Sequence, residues 1–78
     1  MALPQVDKSI DLRGTPCPLN WVKVNLRLGE MQPGMVLEVV VDEGGPARNV
    51  ARSVKAEGHA VVEIQRLPDG VRVVIERR

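Results

Sequence analysis

The hydrophobic periods along the chain predict an α+β fold: a two-layer α/β sandwich of order β-α-β-α-β-β, with a four-stranded mixed sheet carrying both helices on one face. Three observations predict it. Four segments alternate with a period of two, two repeat near 3.6, and Gly or Pro punctuation separates neighbouring segments. Strands separated by helices imply parallel crossovers, whereas a short turn before the last strand makes that strand antiparallel. Two helices are too few to cover both faces of such a sheet, so the second face is expected to be solvated.

Each element has its own signal. Asp7 to Leu12 alternates, with Val6, Lys8, Ile10 and Leu12 on one side, and stops at the turn Arg13-Gly14-Thr15-Pro16. Cys17-Pro18 opens a helix predicted to run to about Met31, with Pro18 suited to a first helical position that has no use for an N–H. Around that helix Trp21, Val24 and Leu28 form one apolar group and Leu19, Val22 and Leu26 another. One group can pack on the sheet; the other meets the second helix or faces out. Gln32-Pro33-Gly34 ends it, because proline cannot continue a helix.

Met35 to Asp42 is the most β-like stretch and is predicted to be an interior strand, with Leu37, Val39 and Val41 on one face. After Glu43-Gly44-Gly45, Pro46 starts a second helix to Glu57, in which Ala47, Val50, Ala51 and Val54 make an apolar stripe and Gly58 the stop. His59 to Arg66 and Val71 to Arg77 are two more strands, joined by the turn Leu67-Pro68-Asp69-Gly70. The solvated face is predicted to carry Val36, Glu38, Val40, Val61, Glu63, Arg72, Val74 and Glu76, and the Arg77-Arg78 end to fray.

The 78 residues make one domain, 1–78, and a chain this short buries only about 60–65% of its unfolded surface. With 11 basic and 10 acidic residues, one Trp, no Phe and no Tyr, it lacks the basic footprint and stacking platforms of a nucleic-acid module. One Cys and one His can build neither a disulfide framework nor a tetrahedral zinc site within the chain, and no cofactor motif is present. No apolar leader or membrane-length run occurs, so a cytoplasmic protein is expected, in a compartment where a thiol stays reduced.

Chemistry therefore falls on Cys17. As the N-cap of the first helix, its sulfur would face the N–H groups of Leu19 and Asn20, and unpaired donors at the positive end of a helix dipole favour a thiolate. Arg13, four residues upstream, would add positive charge. A lone Cys in a small domain is otherwise often an inert, buried residue. Position alone leaves the reactive and inert alternatives equal.

These residues also carry a resemblance. Asp11-Leu12-Arg13-Gly14-x-x-Cys17-Pro18, a helix ending at Met31-Gln32-Pro33-Gly34 and a strand ending in Asp42 resemble the TusA/SirA family of sulfur carriers, over nearly the whole chain. The resemblance implies a two-layer sandwich in which the Cys of a Cys-Pro-x-Pro motif, here Cys17, carries a persulfide. It implies a sulfur donor protein, a cysteine desulfurase or a rhodanese-like protein, and an acceptor protein on the way to tRNA thiolation or other sulfur trafficking. Arg13, Pro18, Leu19 and Asn20 would support the site. The motif departs from the family at Asn20, which stands where the second proline is usual; it restores an N–H, expected to lend Cys17 one more hydrogen bond.

With a single thiol, sulfur transfer must be intermolecular, which describes a monomeric shuttle without small-molecule turnover of its own. Two other readings stay open: an interaction or regulatory module with a structural Cys17, and a thiol redox sensor. His59 is expected to sit away from the Cys17 turn as a surface or capping residue. Glu43-Gly44-Gly45-Pro46 lacks the lysine and spacing of a phosphate loop. Arg48, Arg52 and Lys55 form a basic ridge on the second helix, suited to a solvated face or an acidic partner, with Lys23 and Arg27 adding to it if the helices lie side by side. Trp21 is expected at the core or its edge.

Overall fold

The structure is a computed structural model and describes residues 5–16 and 18–78. The elements follow the predicted order: β1 (Lys8–Asp11), α1 (Leu19–Gly29), β2 (Val36–Val41), α2 (Gly45–Ala56), β3 (Ala60–Leu67) and β4 (Gly70–Glu76). The sheet order is β1-β2-β4-β3, with β1 parallel to β2 and β4 antiparallel to both of its neighbours. β2 is thus interior, as its apolar run predicts.

One apolar layer joins helices and sheet. Val24 and Leu28 of α1, Val50 and Val54 of α2, and Leu37, Val39, Val41, Val71, Val73 and Ile75 of the sheet are all buried in one cluster, to which Leu12 and Met31 belong. These strand positions alternate along β2 and β4, so the covered face is a single face of the sheet. Trp21 and Ile10 pack at the edge of the layer. Of the two apolar groups on α1, the Leu19, Val22 and Leu26 group faces out, with exposures of 50%, 45% and 67%.

Several boundaries differ from the sequence expectation. Helix α1 is shorter at both ends: Pro18 is its N-cap, and Glu30 and Met31 donate to the carbonyls of Arg27 and Leu28, three residues back, in a tightened last turn. Strand β3 contains a bulge between Val61 and Glu63. The extra residue turns Val61 opposite Ile75 and against the core, correcting its predicted place on the solvated face. After the bulge Glu63 lies opposite Val74, on the uncovered face, as expected.

That face is less open than predicted. Val36 is 8% and Val74 1% exposed although no helix covers them. Glu38 and Glu63 flank Val74 across the two ladders, and Arg72, two residues along β4, pairs with both carboxylates. Ser9 donates to Glu38 at 2.7 Å, and these two hydrogen bonds hold the Glu38 carboxyl below its usual range, the Arg72 bond first. A set of paired polar side chains thus surrounds Val74, their aliphatic stems supplying cover. The carboxy-terminal end is also tied down at Arg77, contrary to the expected fraying. Its N–H donates to Met35 O, its carbonyl accepts from Gly34, and its Nε donates to Leu28 O at 2.7 Å, closing the end of α1.

Gly70 opens β4 where no side chain fits: a Cβ there would lie 2.7 Å from Val41 O and 3.3 Å from Arg13 Cδ. Gly70→Ala must displace strand backbone as well as a side chain. A loss of about 1–3 kcal/mol, read from urea unfolding, is the expected outcome.

Candidate functional site

Parallel pairing of β1 and β2 brings their carboxy-terminal ends, and the starts of both helices, to one edge of the sheet. The β3-β4 turn reaches the same edge, because Val41 at the end of β2 lies opposite Val71 at the start of β4. Open α/β sheets commonly bind ligands at the carboxy-terminal ends of their strands. The turn after β1 is built here. Leu12 N–H donates to Val40 O at 2.7 Å, Thr15 N–H closes back on Leu12 O at 3.1 Å, and Gly14 takes φ +80°, open to glycine at little cost.

Three carboxylates fix this turn. Arg13 forks onto Asp11, with Nε at 3.0 Å from one oxygen and Nη2 at 2.6 Å from the other, while its Nη1 reaches Asp69 in the β3-β4 turn at 2.5 Å. Gly14 N–H donates to Asp42 at 2.8 Å. The hydrogen bond from the Arg13 side chain holds the Asp11 carboxyl down at about 2, and the same carboxylates push the guanidinium still higher than its usual range. Arg13 therefore acts as a clamp across the sheet end, its charge already met by two partners.

Cys17 lies outside the described residues, and with it the hydrogen bond that Asn20 is expected to lend it. Its neighbours are placed. Pro16, Pro18 and Leu19 are exposed, and Asn20 is fully buried. The Asn20 N–H donates to Pro16 O at 3.2 Å, and its side-chain Oδ1 accepts from Trp21 N–H at 2.7 Å. Where proline would have no donor, the Asn20 N–H ties the start of α1 back to the Pro16 carbonyl. Its amide is built into the base of α1.

The other residues singled out in sequence separate from this turn. His59 lies at the opposite end of the sheet, before Ala60, which pairs with Glu76, and its Nδ1 accepts from Arg78 N–H at 3.0 Å. Lys23 and Arg27 line an open groove of about 460 Å³ with Ile10 and Leu12, on the β1 side of α1, and so do not extend the ridge on α2. Among the described residues no group of three metal-ligating side chains occurs. Sequence reasoning missed Asp11, Asp42 and Asp69 as partners of the turn. The signal was available, since two aspartates ending parallel strands must arrive at the same edge as Arg13.

Comparison with known proteins agrees with this architecture. The family described as sulfurtransferase TusA matches residues 8–77. The chain belongs to the TusA family. This TusA-family chain is 40% identical over 65 residues to a candidate sulfur carrier protein of Thermotoga maritima, covering 83% of the chain and 82% of that relative. It is 35% identical over 63 residues to one from Archaeoglobus fulgidus, covering 81% and 72%. The crystal structure of a SirA-like protein from Desulfitobacterium hafniense superposes with a TM-score of 0.78 at 24% identity, covering 88% of this chain and 95% of that one, which establishes the shared fold. No helix among the described residues is long and apolar enough to cross a membrane.

The Arg13 clamp predicts a pH signature for this TusA-family turn. A depressed carboxyl contributes its stabilisation above the unfolded value near 3.8 and loses it as pH falls through about 2. A carbon-detected NMR titration should place the Asp11 midpoint near 2, with the Arg13 and Gly14 amides moving alongside. In Arg13→Gln the midpoint should return towards 3.8; an unchanged midpoint would remove Arg13 as the cause.

Proposed function

We propose that this chain is a persulfide sulfur carrier acting through Cys17. The observation that carries the reading is the match of residues 8–77 to the sulfurtransferase TusA family, which spans the Arg13-to-Pro18 turn, in a chain with one thiol. Exposed residues on both sides of Cys17 support an accessible thiol, and the Arg13 and Asn20 contacts support a rigid mount for it.

The chemistry balances without an oxidant. The Cys17 thiolate attacks the terminal sulfur of a donor persulfide; the donor S–S bond breaks, and the donor cysteine leaves as a thiolate. Cys17 then holds Cys–S–SH. In the second step an acceptor thiolate attacks that terminal sulfur and Cys17 leaves as a thiolate. No second thiol in the chain can intercept the persulfide, so donor and acceptor are separate proteins, met in turn by a monomer. A cysteine desulfurase or rhodanese-like protein is the donor class, in a reducing cytoplasm. Where the acceptor serves tRNA thiolation, the near-balanced charge favours contact with protein and not with RNA.

Arg13, Pro18, Leu19 and Asn20 serve as positioning residues. Pro18 caps α1, Asn20 locks the turn to Pro16, Arg13 ties it to the sheet end, and exposed Leu19 offers an apolar contact beside the thiol.

Incubation with a cysteine desulfurase and cysteine, followed by intact-mass spectrometry, should add one sulfur, about 32 Da, to the protein. The adduct should be absent in Cys17→Ala and should decay when a thiol acceptor is added. No adduct from the desulfurase or from a small-molecule persulfide would overturn the carrier reading, as would an adduct that survives Cys17→Ala. A linked dimer as the sole product would favour the redox sensor.

A further inference from the structure

The side of α2 remote from α1 borders an open groove of about 430 Å³ against the outer strand β3. Its floor is apolar: Ala47 and Ala51 from the helix, Ile64, Val71 and Val73 from the sheet. Ile64 pairs with Val73 on the covered face yet is 56% exposed, because α2 does not extend over the outer half of β3. The rim is cationic. Arg48 and Arg66 line the groove, and Arg52 and Lys55 continue the exposed ridge of Arg48 along α2. Arg48, Arg52 and Lys55 form no ion pair with any described residue; the one carboxylate in the lining, Glu43, lies 3.8 Å from Arg66.

The same groove runs beside a free strand edge. β3 is the last strand of the sheet, and its far edge has no partner among the described residues. The bulge at Val61/Glu63 breaks the edge on one side, as bulges on edge strands commonly do, but from Glu63 to Leu67 the pairing with β4 is regular. That stretch carries Ile64 and Arg66 towards the groove. A strand added there would pair through its backbone, and every second side chain would fall on the helix side, where the floor takes an apolar group and the rim takes carboxylates.

We infer that this groove binds an extended peptide segment of another protein, acidic and apolar on alternate same-face positions, which adds to β3 as a fifth strand. Charge complementarity selects this occupant: the lining has Arg48 and Arg66 against the single carboxylate of Glu43, and Arg52 and Lys55 extend the basic ridge beside it. A second copy of the chain would bring the same cationic rim against itself, and a nucleic acid would find no aromatic side chain in the lining on which to stack. The site is separate from Cys17 and needs no sulfur chemistry.

The test is NMR titration of the isotopically labelled full chain with the acetylated peptide Glu-Thr-Val-Thr-Leu-Ser-Glu. Saturable amide shifts should be confined to residues 44–51 and 60–73, should be the same in Cys17→Ser, and should shrink as salt is raised. The double variant Arg48→Glu, Arg66→Glu changes two exposed side chains, and its spectral dispersion reports that it folds; its affinity should fall at least about tenfold. Equal binding by the same peptide with Lys in place of Glu would overturn the inference. So would shifts centred on residues 19–26, or binding of an oligothymidylate where the peptide gives none. Because Cys17 is not engaged, failure here leaves the persulfide reading standing, and failure of the mass experiment leaves this one standing.

Discussion

Two helices can shield one face of a four-stranded sheet, and most of the molecule is arranged around that limit. On the covered side the cluster is almost wholly Val, Leu and Ile, with Val24, Leu37, Val39, Val50, Val54 and Ile75 withdrawn from water. On the bare side the chain cannot leave β2 and β4 dry by the same means, since interior strands need apolar, β-branched residues to pair well. Arg72, Glu38 and Glu63 resolve this by lying over Val74 as a paired set whose charges stay hydrated at the rim. Exposed ion pairs of this kind add little stability singly. Their value here lies in covering apolar surface that a third helix would otherwise have to cover.

Most of the architecture could be read from alternation and punctuation. Leu37-Val39-Val41 and the Val50-Val54 stripe point to the core they enter, and the Pro68-Asp69 turn sits between the paired residues Leu67 and Gly70. The errors have physical causes. A bulge adds one residue without changing composition, so the face of Val61 was assigned by a count that fails at Val62. The valines on the bare face looked solvated because periodicity reports which side a residue is on and not what reaches over it. At the candidate site the turn and the helix after it were legible, but the helix begins one residue late, with Pro18 and not Cys17 at the N-cap position. The Asp69 partner of Arg13 and the Pro16 partner of the Asn20 N–H were not read, since both depend on which carboxylate or carbonyl the fold brings within hydrogen-bond reach.

The edge that carries the Arg13 turn is rigid for a reason rooted in strand direction. β1 and β2 run together and stop together, so Asp11 and Asp42 emerge side by side, and the incoming β4 presents Asp69 from the turn before it. One guanidinium then links two segments far apart in sequence. Gly70 makes the approach possible by presenting no side chain beneath Arg13. The turn is thereby held by the whole sheet end and not by its own loop.

The sheet order also has a consequence for how the molecule comes into being. The strand written last, β4, occupies an interior place between β2 and β3. Until it is synthesised, β2 has a neighbour only in the short β1, and β3 has none among the described residues. Arg77, just after β4, also supplies the donor that closes α1, 49 positions earlier. A chain emerging from a ribosome can therefore form no stable subset of this sheet ahead of time. Its folding is expected to be a single late event, in which insertion of β4 brings the two halves of the sheet together at once.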